Sequence, residues 1–216
     1  MNFFSSDDIK KNSTKRVLVY GKAGLGKTSL IKTIEGKKLI LDFDFSSIVL
    51  DGMTGADLVQ FDTTDIILEV EKILKMLPRL QEKNKYDWII LDNVTALMNY
   101  WFKARGKTSK NGLMNELQHY NEFQNWFFNF IEKVLCVKTN ILITGWEEYT
   151  DGLYNIQLRE KCINHVLGLM DVVARLTKDE NENRFLQLSG SETVTAKNRL
   201  NNIKTCKSDE FFKSLD

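Results

Sequence analysis

The sequence predicts a single α/β domain over residues 1–216: a mostly parallel, twisted sheet flanked by helices, with an antiparallel hairpin near its C-terminal end. Three observations carry this. Short apolar, β-branched runs alternate with segments of helical period. The runs are apolar nearly throughout, the pattern of strands covered on both faces. Near the end, two such runs flank only the polar stretch Lys178-Asp179-Glu180-Asn181-Glu182-Asn183, which reads as a β-hairpin.

Arg16-Val17-Leu18-Val19-Tyr20 stops at Gly21 and reads as the first strand. Residues 27–35 read as a helix closed by Gly36. Lys38-Leu39-Ile40-Leu41-Asp42-Phe43 is a second strand. Ile66, Ile67, Val70, Ile73, Leu74 and Leu77 recur at helical spacing, with Thr63 or Thr64 as N-cap. Pro78 is expected to end or kink that helix. Residues 87–92 form a strand of the buried type. Leu113, Leu117, Tyr120, Phe123, Phe127, Phe130, Ile131 and Val134 mark a long amphipathic helix, and Asn140-Ile141-Leu142-Ile143-Thr144 another strand. Residues 171–177 and 184–188 are the arms of the hairpin.

Composition bounds the function. Apolar residues at 43% and charged residues at 27% describe an ordinary globular chain, which excludes global disorder. The single proline, where average usage gives about eleven, argues against Pro-rich linkers. The formal charge of +1 means that any nucleic-acid site comes from local clusters. Cys136, Cys162 and Cys206 are far apart and the only histidines are His119 and His165, so neither a disulfide framework nor a zinc site of the usual spacing is expected. Met1-Asn2-Phe3-Phe4-Ser5-Ser6-Asp7-Asp8 lacks the basic and apolar regions of a signal peptide. The longest apolar runs, such as Trp88-Ile89-Ile90-Leu91, are far short of a membrane span. The expected location is the cytoplasm, with residues 1–14 as an N-terminal extension.

The firmest motif is Gly21-Lys22-Ala23-Gly24-Leu25-Gly26-Lys27-Thr28, a full G-x-x-x-x-G-K-[ST] match placed after a strand and opening a helix. Its glycines let backbone N–H groups turn toward a phosphate, and the helix start adds its positive end. Lys27 reaches the β- and γ-phosphates and the Thr28 hydroxyl ligates Mg²⁺, with Ser29 completing the cradle. Asp92, at the carboxyl end of the 87–92 strand, is the acidic partner of the Mg²⁺ shell. Its alternative role is to cap the next helix, which Asn93 or Thr95 can do instead. ATP with Mg²⁺ is the expected ligand pair. Asp42 and Asp44 end the second strand; by alternation they face one way, and one of them is expected to orient or deprotonate the attacking water.

This order of parts resembles the RecA-type core: P-loop, acidic strand tip, Asp-ended strand, basic loop, a further strand, then a terminal hairpin region with Lys-Asn-Arg. More narrowly, it is similar to the phage P-loop nucleotide-binding proteins of the Sak type, short RecA-like ATPases that act with single-stranded DNA in recombination. The resembling stretches are residues 19–29, 39–44, 88–97, 140–147 and 171–200. The resemblance implies that Asp44 stands where such proteins usually have a catalytic Glu. It places Thr144-Gly145-Trp146-Glu147 at a strand-end polar sensor; Trp146 occupies that neighbourhood, so either Glu147 takes the role or the sensor is lost. It makes Lys197 and Arg199 cations that reach the γ-phosphate of a neighbouring subunit. It therefore implies a homo-oligomer with ATP sites at subunit interfaces, and a single-strand-binding protein as a further partner.

Trp101-Phe102-Lys103-Ala104-Arg105-Gly106-Lys107-Thr108-Ser109-Lys110-Asn111-Gly112 carries four cations and no acid. It reads as a mobile loop, and in the resembling order it lies where the first DNA-binding loop lies. Lys103, Arg105, Lys107 and Lys110 are the candidate phosphate-backbone contacts, with Trp101 and Phe102 either stacking bases or packed in the core. Residues 148–161 are a weaker second DNA segment, and Phe3 and Phe4 a candidate anchor for a neighbouring subunit. The expected activity is ATP hydrolysis coupled to single-stranded DNA binding and annealing or strand exchange. Two other classes compete: a P-loop kinase of a nucleoside or small molecule, and a non-enzymatic nucleotide-gated switch that binds a replication partner.

Overall fold

The apolar runs assemble into one sheet in the computed structural model, which describes residues 14–112 and 114–215. Its strands are β1 (Arg16–Gly21), β2 (Lys38–Asp42), β3 (Ala56–Gln60), β4 (Trp88–Asp92), β5 (Asn140–Thr150), β6 (Leu153–Ile156), β7 (Val172–Lys178), β8 (Arg184–Gln187), β9 (Lys197–Asn198) and β10 (Thr205–Lys207). The spatial order is β10-β8-β7-β1-β5-β4-β2-β3, with β6 paired to β5 and β9 to β7. β7, β1, β5, β4, β2 and β3 run parallel, while β8 and β10 are antiparallel additions at one edge. The expected hairpin is therefore β7–β8.

Alternation along the strands builds two cores. On β1, Leu18 and Tyr20 join one apolar cluster, which packs under α1 (Ile66–Asn84), α2 (Val94–Gly106), α3 (Leu117–Leu135) and α4 (Glu160–Leu169). Val17 and Val19 face the other way, onto Leu30, Ile31 and Ile34 and onto Phe211, Phe212 and Leu215 of the C-terminal segment. Four helices thus cover one face, and short turns with the chain end cover the other. No helix among the described residues is long and apolar enough to cross a membrane.

Several local expectations are corrected. The helix after Gly26 is only a 3₁₀ turn, Thr28–Thr33. Its segment is short and carries β-branched Thr28, Ile31 and Thr33, so α-helical nucleation gains little. The next amphipathic helix enters through a 3₁₀ turn capped by Asp62, whose carboxylate accepts from the Thr64 N–H, and not through a Thr63 or Thr64 cap. Pro78 lies inside α1, which continues to Asn84. The lost backbone bond costs about 3 kcal/mol; beyond it Leu80 packs against the core and Gln81 exchanges hydrogen bonds with the Tyr86 backbone, which helps to offset the loss. α3 begins at Leu117, which is 87% exposed; Leu113, Phe3 and Phe4 lie outside the described residues. The candidate loop from Trp101 is helical as far as Gly106, so Lys103 and Arg105 stand on α2. Residues 148–156 form most of the β5–β6 hairpin, not a loop, with the Tyr149 and Tyr154 ring centres 4.5 Å apart and the rings tilted by 38°.

Candidate functional site

The carboxyl ends of the parallel strands carry the site, as expected for an open α/β sheet. β1 delivers the chain into the glycine-rich loop, whose glycines are needed for two different reasons. A Cβ on Gly21 would stand 2.6 Å from the Leu176 carbonyl oxygen on β7, so the strand end has no room for one. Gly24 and Gly26 take φ of +77° and +94°, which L side chains disfavour. Because the helix behind this loop is a short 3₁₀ segment of six residues, the phosphate cradle rests on loop amides and on Lys27 more than on a helix dipole.

Lys27 is buried, and its Nζ donates to the carbonyls of Gly21 at 2.8 Å and Lys22 at 2.9 Å. The loop curls around its own lysine. Burial pushes the amine below the usual lysine range, and Asp92, Asp44 and Glu147 pull it back. The structure therefore gathers Lys27, Thr28, Asp44 and Asp92 in one place, as the sequence predicts.

Three hydroxyls converge on Asp92. Thr28 hydrogen-bonds to it, Thr144 donates to Oδ1, and Ser46 Oγ lies 3.4 Å from Oδ2 and 2.7 Å from the Thr28 hydroxyl. Burial raises the Asp92 carboxyl to about 6, against the Thr144 and Thr28 hydrogen bonds and helped by the nearby Asp44 and Asp42. A divalent cation is the group that such a buried carboxylate lacks. The donors are all hard oxygens: the Thr28 and Ser46 hydroxyls and the Asp92 carboxylate. In addition, Asp42 is buried and its Oδ1 has no hydrogen-bond partner. Among the described residues no three His, Cys, Asp or Glu side chains form a cage that could hold a metal alone. That set suits Mg²⁺, which binds through one or two carboxylates plus phosphate oxygens and keeps several waters.

Asp42 and Asp44 reach the site by different routes, not as alternate residues of one strand. β2 ends at Asp42, directly beside Asp92 on β4, and its Oδ2 accepts from Gln60 Nε2 at 3.3 Å. Asp44 lies in the bend beyond. It accepts from the Ser46 N–H at 3.1 Å and from the Asn93 side-chain amide. Asn93 also caps α2, its Oδ1 accepting from the Ala96 N–H at 2.8 Å. Asp92 is thus free of the capping role.

The sensor segment is rearranged. Thr144, not Glu147, touches Asp92. Trp146 packs against the helical core and its N–H donates to Thr95 Oγ1 at 3.0 Å. Glu147 is locked by Arg175 of β7, whose guanidinium also lies 3.6 Å from the centre of the Tyr154 ring.

Lys197 and Arg199 are not brought to the phosphate loop of their own chain. β9 pairs with the amino-terminal part of β7, Lys197 opposite Val173, and the Arg199 N–H donates to the Asp171 carbonyl. The Lys197 amine donates to the Leu167 carbonyl, and burial with Arg199 close by holds it below the usual lysine range. Arg199 is exposed. In the basic segment Lys103, Lys107 and Lys110 are exposed, while Arg105 pairs with Glu122 at 3.1 Å. Trp101 is 1% exposed and belongs to the core.

Sequence reasoning missed Ser46, Asn93 as the partner of Asp44, and Arg175. Only Ser46 had a local signal, its position two residues past Asp44.

The profile of the family described as AAA domain matches residues 13–200. No curated protein matches the chain. Among solved structures, the chain is similar to a KaiC-like protein from the hyperthermophilic archaeon Pyrococcus horikoshii, with a TM-score of 0.52 and 13% identity over 88% of this chain and 82% of that one. At that identity the likeness concerns the fold, and it makes the sheet described above RecA-like and of KaiC type.

Proposed function

The chain belongs to the AAA domain family, and on that premise we propose that it hydrolyses ATP with Mg²⁺ to control its hold on single-stranded DNA. The coarser statement, a P-loop nucleotide-binding ATPase, follows from the family and the fold. The DNA half is our reading, as is its placement among the phage recombination ATPases of the Sak type.

The observation that supports it is helix α2. Its first turn is capped by Asn93, which follows Asp92 and bonds Asp44; its last turn and the bend beyond carry Lys103, Arg105, Lys107 and Lys110. One rod joins the carboxylates of the nucleotide site to a run of cations with no acid among them. Lys107 lies close enough to Asp62, just past β3, to help its Thr64 hydrogen bonds hold that carboxyl below its usual range. That supports a place for Lys107 on the same end of the sheet as the nucleotide.

In this reading Lys27 leaves the loop carbonyls for the β- and γ-phosphate oxygens. Thr28 and Asp92 hold Mg²⁺, which when bound neutralises charge on those oxygens. Asp44, oriented by Asn93, positions the attacking water. Arg199, exposed and far from its own loop, acts on the γ-phosphate of a neighbouring subunit in a homo-oligomer.

The test is fluorescence anisotropy of the full chain with labelled single-stranded DNA, with and without ATP. Binding should weaken with salt and respond to ATP. Replacing Lys103, Lys107 and Lys110 with Ala should lower the log–log salt slope by about 2. Absence of binding at low salt ends the DNA reading, and phosphate release that survives Lys27→Ala ends the ATPase assignment.

A further inference from the structure

The groups described so far hold phosphate and metal but leave the nucleoside without a seat. Their layout says where it has to go. The phosphate loop sits on β1, and the acidic groups stand to one side of it, Asp92 on β4 and Asp42 on β2. The γ-phosphate end therefore points across β5 toward β4, and the nucleoside end leaves toward the opposite neighbours, β7 and β8.

A cavity of about 140 Å³ opens on that side, lined by the loop residues Gly26 and Ser29 together with Leu176, Arg184, Ser208 and Asp209. Arg184, the first residue of β8, leans directly on the phosphate loop: a Cβ on Gly26 would stand 2.6 Å from its Nη1 and 3.2 Å from its Cζ. The Arg184 carbonyl accepts from the Ser208 N–H at 3.1 Å, which fastens the C-terminal segment at the rim. The Arg184 side chain is exposed and makes no hydrogen bond or ion pair with another described residue. A planar, weakly hydrated cation that is held beside the loop but not neutralised offers its face to an aromatic ring.

We propose that this cavity is the nucleoside subsite, that Arg184 stacks on the adenine ring, and that Asp209 accepts a hydrogen bond from the nucleoside. The inference rests on the ATP reading above and adds a base-recognition device to it. Ser208 and Asp209 lie beyond residue 200, where the match to the family profile ends.

Calorimetric titration of the full chain with Mg²⁺-ATP and, separately, with Mg²⁺ and inorganic tripolyphosphate tests it. In the unsubstituted protein ATP binds more tightly than tripolyphosphate. Arg184→Ala should weaken ATP binding about tenfold and leave tripolyphosphate binding unchanged. Arg184→Lys, which keeps the charge and the fold but loses the planar face, should weaken ATP in the same way, and Asp209→Ala should do so more mildly. Equal weakening of both ligands would make Arg184 a phosphate contact and overturn the proposal, as would ATP binding unchanged by both Arg184 substitutions. A parent protein that binds neither ligand would instead overturn the phosphate-loop reading itself, and the subsite with it.

Discussion

Arg175 grips Glu147 with two nitrogens, Nε at 2.6 Å from Oε2 and Nη2 at 3.3 Å from Oε1. Arg175 stands on β7 beside Tyr20, and Glu147 on β5 beyond Trp146, the partner of Gly21, so the pair spans the end of β1. Only 13% and 3% of the two side chains are exposed. Glu147→Ala leaves the Arg175 cation buried without its carboxylate, with only Gln187 Oε1 at 3.1 Å and the Tyr154 ring beside it, which should cost about 3 kcal/mol in urea unfolding. The double substitution Glu147→Leu with Arg175→Met should recover most of that loss. A double variant as unstable as the single one would show that packing, not charge, holds the clasp.

Asp44 and Asp42 are separable by kinetics. Asp44 is bonded to Asn93 at the mouth of the site, whereas Asp42 is buried beside Asp92. Asp44→Asn should lower turnover at saturating ATP by about 10²–10⁴ while ATP binding persists. Asp42→Asn should cost less turnover. The reverse order, measured by phosphate release, would move the water-positioning role to Asp42.

Two loop glycines should fail for different reasons. Gly21→Ala drives a Cβ to 2.6 Å from backbone oxygen and should destabilise the nucleotide-free protein by about 1–3 kcal/mol. Gly24 has nothing within 4 Å of a Cβ but a φ of +77°, so Gly24→Ala should cost about 1–2 kcal/mol from conformation alone. Thermal melts of the two variants check the ranking.

Trp101 fills the core with its ring 5.2 Å from those of Phe102 and Phe123. Trp101→Ala should destabilise by about 3–5 kcal/mol and leave DNA affinity per folded molecule unchanged. A selective loss of DNA binding with normal stability would return Trp101 to the role of base-stacking residue.

The β7–β8 turn carries an acid-sensitive brace. Asp179 accepts from the Asn183 side chain at 3.0 Å and from the Asn183 and Asn181 N–H groups at 2.8 and 2.9 Å. Those bonds hold its carboxyl below the usual range, the Asn183 bonds most. Its folded pKa thus lies below the unfolded value near 4. The brace is complete above that value and is lost as pH falls through the lowered one. The stability gap between the parent and Asp179→Ala should therefore narrow as pH drops below about 4, read from urea midpoints.

The sequence alone was enough for the strands at 16–21, 38–42 and 88–92 and for the phosphate loop. Each is encoded within a few consecutive residues, by apolar length, a terminating turn and fixed spacing. Asp92 was legible for the same reason, as the acid that ends an apolar run. Sequence pattern could not decide whether a helix stops at Pro78, because the turns beyond it are held by Leu80 against the core and by Gln81 on the Tyr86 backbone, contacts that only the folded chain makes. Nor could it decide the fate of Trp101, which depends on how the next helix, α3, packs back over α2.

Tertiary structure alone decided which side chains meet. Thr28, Ser46 and Thr144 come from three elements to one carboxylate, and Arg184 reaches Gly26 across 158 residues of chain. It also sent Lys197 and Arg199 to the amino ends of the strands, away from their own loop. Local conformation follows from the preferences of neighbouring residues. Partnership follows from strand order and register, which only the burial of both faces of the whole sheet selects.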